Sequence, residues 1–235
     1  LVVMLNGGKK YYLHLGYRKD GSSNSGEDRL VINRIDIGAR KYTTNYSKIT
    51  INDGIVQTTA GNSNAIQNHG DVTVNGGTVS TNASGTYAGI FNQNVAKVTV
   101  NGGTISGGAY GIYNIDTAEM ILSKGTINGG TYGIYSTVNT DINIDSSELT
   151  IQGIHSYGTA ANIDVKKANI TKTIYKQNGT GNVSVSEDAT VNAITTNSGG
   201  NITVNDSAVI GVITNSSAGN IEITNSTCSA DQYNN

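Results

Sequence analysis

The amino-acid sequence predicts an all-β fold, a three-faced right-handed parallel β-helix (a solenoid) of about ten coils. Val and Ile recur with a period of two along short segments, which is the period of side chains on one face of a strand. Glycine interrupts the chain every ten residues or so, and this argues against helical repeats. The phrase NGGT occurs at Asn75–Thr78 and again at Asn101–Thr104, so the sequence contains an internal repeat.

Each predicted coil is 19 to 26 residues long and opens with two inward apolar residues, such as Val72 and Val74. The coils begin at Arg29, Lys48, Asp71, Lys97, Glu119, Asp141, Asn162, Asn182, Asn201 and Asn220. A second apolar column is predicted at Ile37, Val56, Val79, Ile105, Ile127, Leu149, Ile170 and Val209. A third is predicted at Ile66, Ile90, Ile112, Ile134, Ile154, Ile174, Ile194 and Ile213. Stacked coils bury such columns, whereas a single coil cannot.

The chain divides into two predicted parts. Residues 1–28 do not fit the repeat, and a strand followed by a polar turn there predicts an N-terminal β cap or hairpin. Residues 29–235 form the predicted parallel β-helix, and its right hand follows from the strong bias of parallel crossovers. The polar end at Ser229–Asn235 shows no obvious cap, so we expect the chain to continue there or another molecule to cover it.

A column of polar residues marks the corner between the first and second strands of each coil. Asparagine predominates in it, at Asn33, Asn52, Asn75, Asn101 and Asn205. Asparagine tolerates the left-handed backbone of tight turns, and its amide can hydrogen-bond to the same residue of a stacked neighbour. We therefore expect these asparagines to serve the structure rather than a ligand.

Charge and composition exclude several functional classes. Residues 1–48 hold nine of the fifteen Lys and Arg residues but only four of the seventeen acids, whereas the rest of the chain holds six against thirteen, a net charge of −7. An acidic solenoid offers no electrostatic footprint for nucleic acid. No segment is long and apolar enough to predict a membrane helix. The single cysteine, Cys228, excludes an internal disulfide.

The apolar columns, the asparagine corner and phrases such as GGTISGGAYGIYN and KGTINGGTYGIYS resemble right-handed parallel β-helix proteins of the pectate-lyase-like superfamily. Within it they look most like the non-enzymatic, adhesin-like surface repeat proteins of bacteria. The resemblance covers about Arg29 to Gln232. It implies a secreted protein that is extracellular or located at the cell surface.

The enzymes of that superfamily supply a test, because they cluster carboxylates on the outer surface of one sheet. The outward residues of the first strands are Thr50, Thr73, Thr99, Ile121, Asn143, Asp164, Ser184, Thr203 and Glu222. Two closely spaced carboxylates are needed for glycoside hydrolysis, and the nearest candidates are Glu187 with Asp188 and Asp145 with Glu148. His14, His69 and His155 have no metal-ligand spacing. We therefore predict no catalytic residues, no metal and no cofactor.

One row of residues stands out as a candidate binding surface. The residue after the third-column isoleucine points outward, and in five consecutive coils it carries a ring: Phe91, Tyr113, Tyr135, His155 and Tyr175. Such a ladder either stabilises the sheet by stacking or forms a binding stripe, since tyrosine offers apolar faces with a polar tip. The long loops between Gly61 and Ala88 are the alternative binding surface.

The sequence thus predicts a non-catalytic extracellular structural or binding module, either an adhesin-like surface protein or a filament or sheath subunit. The expected partner is a glycan or the surface of a host or neighbouring cell, or another copy of the chain in end-to-end association. A phage tail-spike-like receptor binder is a related alternative. A β-helix polysaccharide lyase or glycoside hydrolase is the alternative from a different class.

Overall fold

The computed structural model describes residues 35–36, 43–58, 61–228 and 233–234. These residues form an all-β parallel solenoid of about eight complete turns, without helix. The predicted fold class is confirmed, although the predicted number of about ten coils is slightly too high. The cap predicted at residues 1–28, the domain boundary after it and the first coil start, Arg29, lie outside the described residues.

Each complete turn contributes one strand to each of three faces. The first face contains β3 (Lys48–Ile51), β6 (Asp71–Val74), β9 (Lys97–Val100), β12 (Glu119–Leu122), β15 (Ile142–Asp145), β18 (Ile163–Lys166), β20 (Val183–Ser186), β22 (Ile202–Asn205) and β25 (Ile221–Thr224). The second face contains β1 (Ile35–Asp36), β4 (Ile55–Thr58), β7 (Thr78–Thr81), β10 (Thr104–Gly107), β13 (Gly125–Gly129), β16 (Leu149–Ile151), β23 (Ala208–Val209) and β26 (Thr227–Cys228). The third face contains β2 (Thr43–Asn45), β5 (Ile66–Asn68), β8 (Ala88–Asn92), β11 (Tyr110–Asn114), β14 (Tyr132–Ser136), β17 (Ile154–Ser156), β24 (Ile213–Asn215) and β27 (Tyr233–Asn234). The longer β19 (Asn169–Lys176) and β21 (Thr190–Thr196) bend from the second face to the third.

The core consists of the predicted apolar columns. The third column pairs in register from Ile66 to Ile213, and its isoleucines are almost completely buried. On the first face, strands such as β6 and β9 place Val inward and Thr outward, as the period of two predicts. Within each continuous sheet, an inward apolar side chain therefore packs against the equivalent side chain of the next turn.

Within the described residues, the second column differs from the prediction at Leu149. Ile127 pairs with Ile151, whereas Leu149 pairs with Gly125. Both Leu149 and Ile151 are fully buried, because a displacement of two residues along a strand keeps side chains on the same face. Spacing alone could not distinguish them, and the prediction of Leu149 as the column member was wrong. Ile37 lies outside the described residues, and Val56 pairs with Ile35.

The NGGT corner has the geometry that its residues favour. The second glycine of each phrase, Gly77 and Gly103, adopts φ of 73° and 78°, a left-handed backbone that glycine tolerates without steric cost. The amide of Asn75 donates to Asn52 Oδ1 at 2.8 Å, and that of Asn101 donates to Asn75 at 2.9 Å. The predicted asparagine ladder thus exists in these turns, on the exposed surface.

A second asparagine ladder, which the sequence analysis missed, is buried at the corner after the third strand. Its members are Asn45, Asn68, Asn92 and Asn114. The side-chain amide of each of the first three donates a hydrogen bond to the side-chain oxygen of the following member, at 2.7 to 2.8 Å. The first three also donate to a backbone carbonyl of the next turn. Buried amides need such partners because an unsatisfied one is costly. The ladder ends at Asn114, whose amide donates to Ala118 O within its own turn.

Beyond Asn114 the same buried column continues with Ser136, Ser156 and then Lys176. The Lys176 side chain has no exposed surface. Its ammonium nitrogen donates to the carbonyl oxygens of Gly158 and Asn178. Burial lowers the pKa of Lys176, because a desolvated amine resists protonation.

The lowered pKa of Lys176 predicts a pH-dependent stability. The unfolded chain keeps this proton up to the ordinary lysine pKa, about 10.4, so unfolding takes up a proton in the window between the folded and unfolded pKa values. The free energy of unfolding should therefore rise with pH there, by at most about 1.4 kcal/mol per unit. Urea denaturation at a series of pH values up to about 9, a unit below the ordinary tyrosine pKa of about 10, measures this rise.

Two variants isolate the contribution of Lys176. In Lys176→Met the free energy of unfolding should no longer rise with pH. In Lys172→Met, whose lysine is on the same strand but exposed, the rise should remain. Identical pH profiles for Lys176→Met and the unsubstituted protein would show that Lys176 is not the source.

Candidate functional site: an aromatic surface on the third face

The five ring-bearing residues predicted from the sequence lie in one column on the outside of the third face. Phe91, Tyr113, Tyr135, His155 and Tyr175 occupy equivalent positions in consecutive turns. Their successive ring centroids are 5.1, 4.9, 4.7 and 4.7 Å apart. The structure therefore brings all five predicted side chains together, and their role in binding stays a prediction.

Three further tyrosines enlarge this row into a cluster of eight rings. The ring of Tyr110 lies 5.3 Å from that of Tyr113 and 4.7 Å from that of Tyr135. Tyr132 lies 5.0 Å from His155, and Tyr157 lies 6.5 Å from it on the other side. We call these eight residues the aromatic surface. The repeated phrase YGIY, which carries Tyr110 and Tyr132, was the sequence signal that could have revealed the second row.

The glycine of the YGIY phrase allows the first tyrosine of the phrase, Tyr110 or Tyr132, to join the aromatic surface. A Cβ atom on Gly111 would lie 2.7 Å from the carbonyl oxygens of Asn128 and Gly133 and from the Ile127 side chain. Such contacts are too short for any side chain, so only glycine lets the backbone come this close to the next turn. Ile112 then points into the core, while the rings of Tyr110 and Tyr113 meet on the outside.

The rings pack edge to face rather than as a flat stack. The interplanar angles are 62° for Phe91 with Tyr113, 85° for Tyr113 with Tyr135 and 76° for Tyr135 with His155. This is a favourable arrangement for aromatic pairs. The members are half-buried apart from His155, which is only 9% exposed, and Tyr157, which is 43% exposed. The cluster therefore stabilises the sheet and also presents apolar surface to solvent.

The aromatic surface is uncharged at neutral pH. Burial raises the pKa of Tyr110, Tyr113, Tyr132 and Tyr135, and the neighbouring tyrosines raise it further. Burial lowers the pKa of His155, outweighing its 2.8 Å hydrogen bond with Gln177. At one end, the Tyr175 hydroxyl accepts a hydrogen bond from the Asn197 amide at 2.8 Å. The surface thus combines ring faces with neutral hydroxyl and amide groups.

Three of the four carboxylates that the sequence offered as nearest to a catalytic pair form ion pairs at the exposed first corner, away from the aromatic surface. Lys167 contacts Asp145 at 2.8 Å and Glu187 at 3.1 Å, and Lys124 contacts Glu148 at 2.6 Å. The hydrogen bonds from Lys167 lower the pKa of Asp145 and of Glu187. A general acid needs a raised pKa instead.

The other candidate residues are also separated from one another. Asp164 on the first face is flanked in register by Asn143 and Ser184. His69 stacks on Tyr46 with ring centroids 4.7 Å apart, in a different part of the fold from His155. His14 lies outside the described residues. Across the described ranges, no group of three or more His, Cys, Asp or Glu side chains could hold a metal ion.

The long loops between Gly61 and Ala88 pack partly against one another. The Thr81 hydroxyl donates to Ser63 O at 2.8 Å, and the Ala88 backbone amide donates to Asn64 Oδ1 at 2.8 Å. Ser63, Ala65 and Ala83 are buried. Only the polar tips are exposed, so these loops offer less apolar surface than the aromatic surface does.

A comparison of the chain with protein-family models, with curated proteins and with solved structures finds no match. The strand pairing nevertheless defines the class: the chain is a parallel β-solenoid repeat protein. In the part of the chain that the structure describes, no helix is long and apolar enough to cross a membrane.

The glycine geometry predicts a specific loss of stability. Gly111→Ala should lower the free energy of unfolding by about 1 to 3 kcal/mol, the usual cost of forcing extra atoms into a packed site. Gly61→Ala is the matched control, because a Cβ atom there meets nothing within 4 Å. Chemical denaturation of both variants measures the difference. Equal stabilities would contradict the close approach of the turns at Gly111.

Proposed function

We propose that this solenoid is a non-catalytic extracellular binding module, an adhesin-like surface protein that contacts a glycan or a cell-surface partner through the aromatic surface. The observation that supports this proposal is the cluster of eight uncharged rings on one outer face. The resemblance of the repeat phrases to adhesin-like surface proteins of bacteria supports the location. A filament or sheath subunit would use the same solenoid for self-association.

The chemistry of the rings favours a neutral, polar partner. Tyrosine and tryptophan are enriched among residues that dominate binding energy, because one side supplies apolar area and the tip supplies a hydrogen bond. Tyr113 and Tyr135 lie at the centre of the cluster, and Tyr157 is the most exposed of its rings. Equivalent rings recur every ~4.8 Å along the axis. A polymer with repeating units, such as a glycan chain, can contact several of them at once.

A lyase or hydrolase function has less support. Three of the carboxylates nearest to forming a pair, Asp145, Glu148 and Glu187, are in ion pairs with lysines, and the hydrogen bonds from Lys167 lower the pKa of Asp145 and of Glu187. Pectin, polygalacturonate and alginate should therefore remain uncleaved by the purified protein, with or without Ca²⁺. Saturable product formation that follows the protein through purification would support the enzyme instead.

The double variant Tyr113→Ala with Tyr135→Ala tests the aromatic surface. We expect at least tenfold weaker binding on a glycan array or to intact cells, because central tyrosines commonly contribute more than about 1.4 kcal/mol each. Tyr113→Phe with Tyr135→Phe keeps ring packing and removes only the hydroxyls, so it should retain stability and lose part of the affinity. The melting temperature of each variant shows whether the fold is intact.

The control is Tyr46→Ala, which removes an exposed tyrosine outside the aromatic surface. It should leave binding unchanged. If the double alanine variant melts earlier but binds as tightly as the unsubstituted protein, the rings serve packing alone and the proposed function is wrong.

A further inference from the structure

The first face of the solenoid is interrupted in the middle, between β12 and β15. Within the described residues, β12 pairs with β9 and β15 pairs with β18, but the two strands do not pair with each other. The second and third faces continue across the same turns through β13 with β16 and β14 with β17. We call this opening in the first face the seam.

The two strands beside the seam lie farther apart than paired strands do. Nearly all Cα–Cα distances between β12 and β15 exceed 8 Å, whereas paired strands lie ~4.8 Å apart. A gap of about twice the pairing distance, ~9.6 Å, would let one extended segment pair on both sides.

The backbone on both sides of the seam is oriented for such pairing. Glu119 N–H donates to Ala96 O at 2.8 Å, away from the seam, and Ile142 N–H donates to Asn162 O at 2.9 Å, also away from it. Successive amides of a strand point to opposite sides. The amides of Met120 and Leu122, and those of Asn143 and Asp145, therefore face the seam.

The side chains at the seam have an apolar interior and a polar rim. They surround a cavity of about 440 Å³, lined by Met120, Leu122, Val138 and Ile142 and by polar groups such as Asn139 and Thr140. Met120 is only partly buried and Leu122 is 8% exposed, whereas Val98 and Val100, their partners in the preceding turn, are fully buried. An inserted strand with two inward apolar residues would cover them.

Charge specifies the first residue of such a strand. Equivalent positions of the first face alternate in sign, through Lys48, Asp71, Lys97 and Glu119. Lys97 forms an ion pair with Glu119 at 3.1 Å. On the far side of the seam, the exposed Asp141 precedes β15. Its Oδ1 accepts a hydrogen bond from the backbone amide of Asn162. A lysine between Glu119 and Asp141 would continue the alternation.

We propose that the seam is a binding site for an extended peptide of a partner protein, with the pattern lysine, β-branched apolar residue, threonine or serine, β-branched apolar residue. The peptide adds a strand between β12 and β15, and main-chain hydrogen bonds to both edges supply the affinity. β9, with the sequence KVTV, shows that a strand of this pattern fits the first face. The proposal is independent of the aromatic surface.

The test measures binding of short, terminally blocked, dye-labelled peptides by fluorescence anisotropy. A glycine-flanked KVTV peptide should bind saturably with one site per chain. An EVTV peptide, which places a third acid between Glu119 and Asp141, should bind at least tenfold more weakly. A KTVT peptide, which turns its apolar residues outward, should bind as weakly. Equal affinity for all three peptides, or no saturable binding of KVTV, would overturn the proposal.

Variants of the protein separate the charge contribution from the backbone contribution. Glu119→Gln should weaken KVTV binding several-fold, whereas Glu222→Gln, a first-face carboxylate remote from the seam, should not. Asn143→Pro removes one amide that faces the seam, at a strand position where that amide has no partner strand, and should also weaken binding. Circular dichroism and melting temperature confirm that each variant is folded. KVTV affinities for Glu119→Gln and Asn143→Pro that match the unsubstituted protein would contradict the site.

Hydrogen exchange identifies the occupant directly. Bound KVTV should slow exchange at the amides of Met120, Leu122, Asn143 and Asp145, and leave the other faces unchanged. Protection of the same amides that grows with protein concentration and needs no peptide would show a second copy of the chain in the seam, and the partner peptide would then be the wrong occupant.

Discussion

Each turn of this solenoid pairs its strands with those of the next turn at equivalent positions. A single turn cannot bury its apolar residues, so the fold exists only as far as this pairing continues. Because equivalent positions stack, a residue type repeated in the sequence becomes a continuous row in space. The same constraint produces the isoleucine column from Ile66 to Ile213, the buried ladder from Asn45 to Asn114 and the aromatic surface.

The constraint is relaxed at one place, between the turns that contain β12 and β15. The turn of β15 carries two additional residues in its first corner, because Ile151 rather than Leu149 pairs with Ile127. The buried asparagine ladder stops at the same turn, where Asn114 bonds within its own coil, and the next residue in the column, Ser136, has an unpartnered hydroxyl. The solenoid is therefore continuous on two faces and open on the third, and the opening exposes backbone groups that the rest of the fold uses internally.

The sequence predicted the features that depend on periodicity. Val and Ile at a period of two specify inward positions, and the ring after each third-column isoleucine follows from strand alternation. Features that depend on how far apart turns lie were missed. Tyr110 joins the aromatic surface because Gly111 permits a close approach, and the seam separates turns whose lengths look ordinary. The second column was misplaced at Leu149 because two inward residues of one strand are equivalent in pattern.

Pairing between turns is thus the central claim, and residue-resolved hydrogen exchange of the protein alone tests it most directly. Amides that bond to a neighbouring turn, such as those of Val98 and Asp164, should exchange slowly. The amides of Met120, Leu122, Asn143 and Asp145, which face the seam, should exchange at least a hundredfold faster, since open amides lack the protection of the paired core. Uniform protection across the first face would contradict the account, because it would show β12 paired with β15 and the stack unbroken.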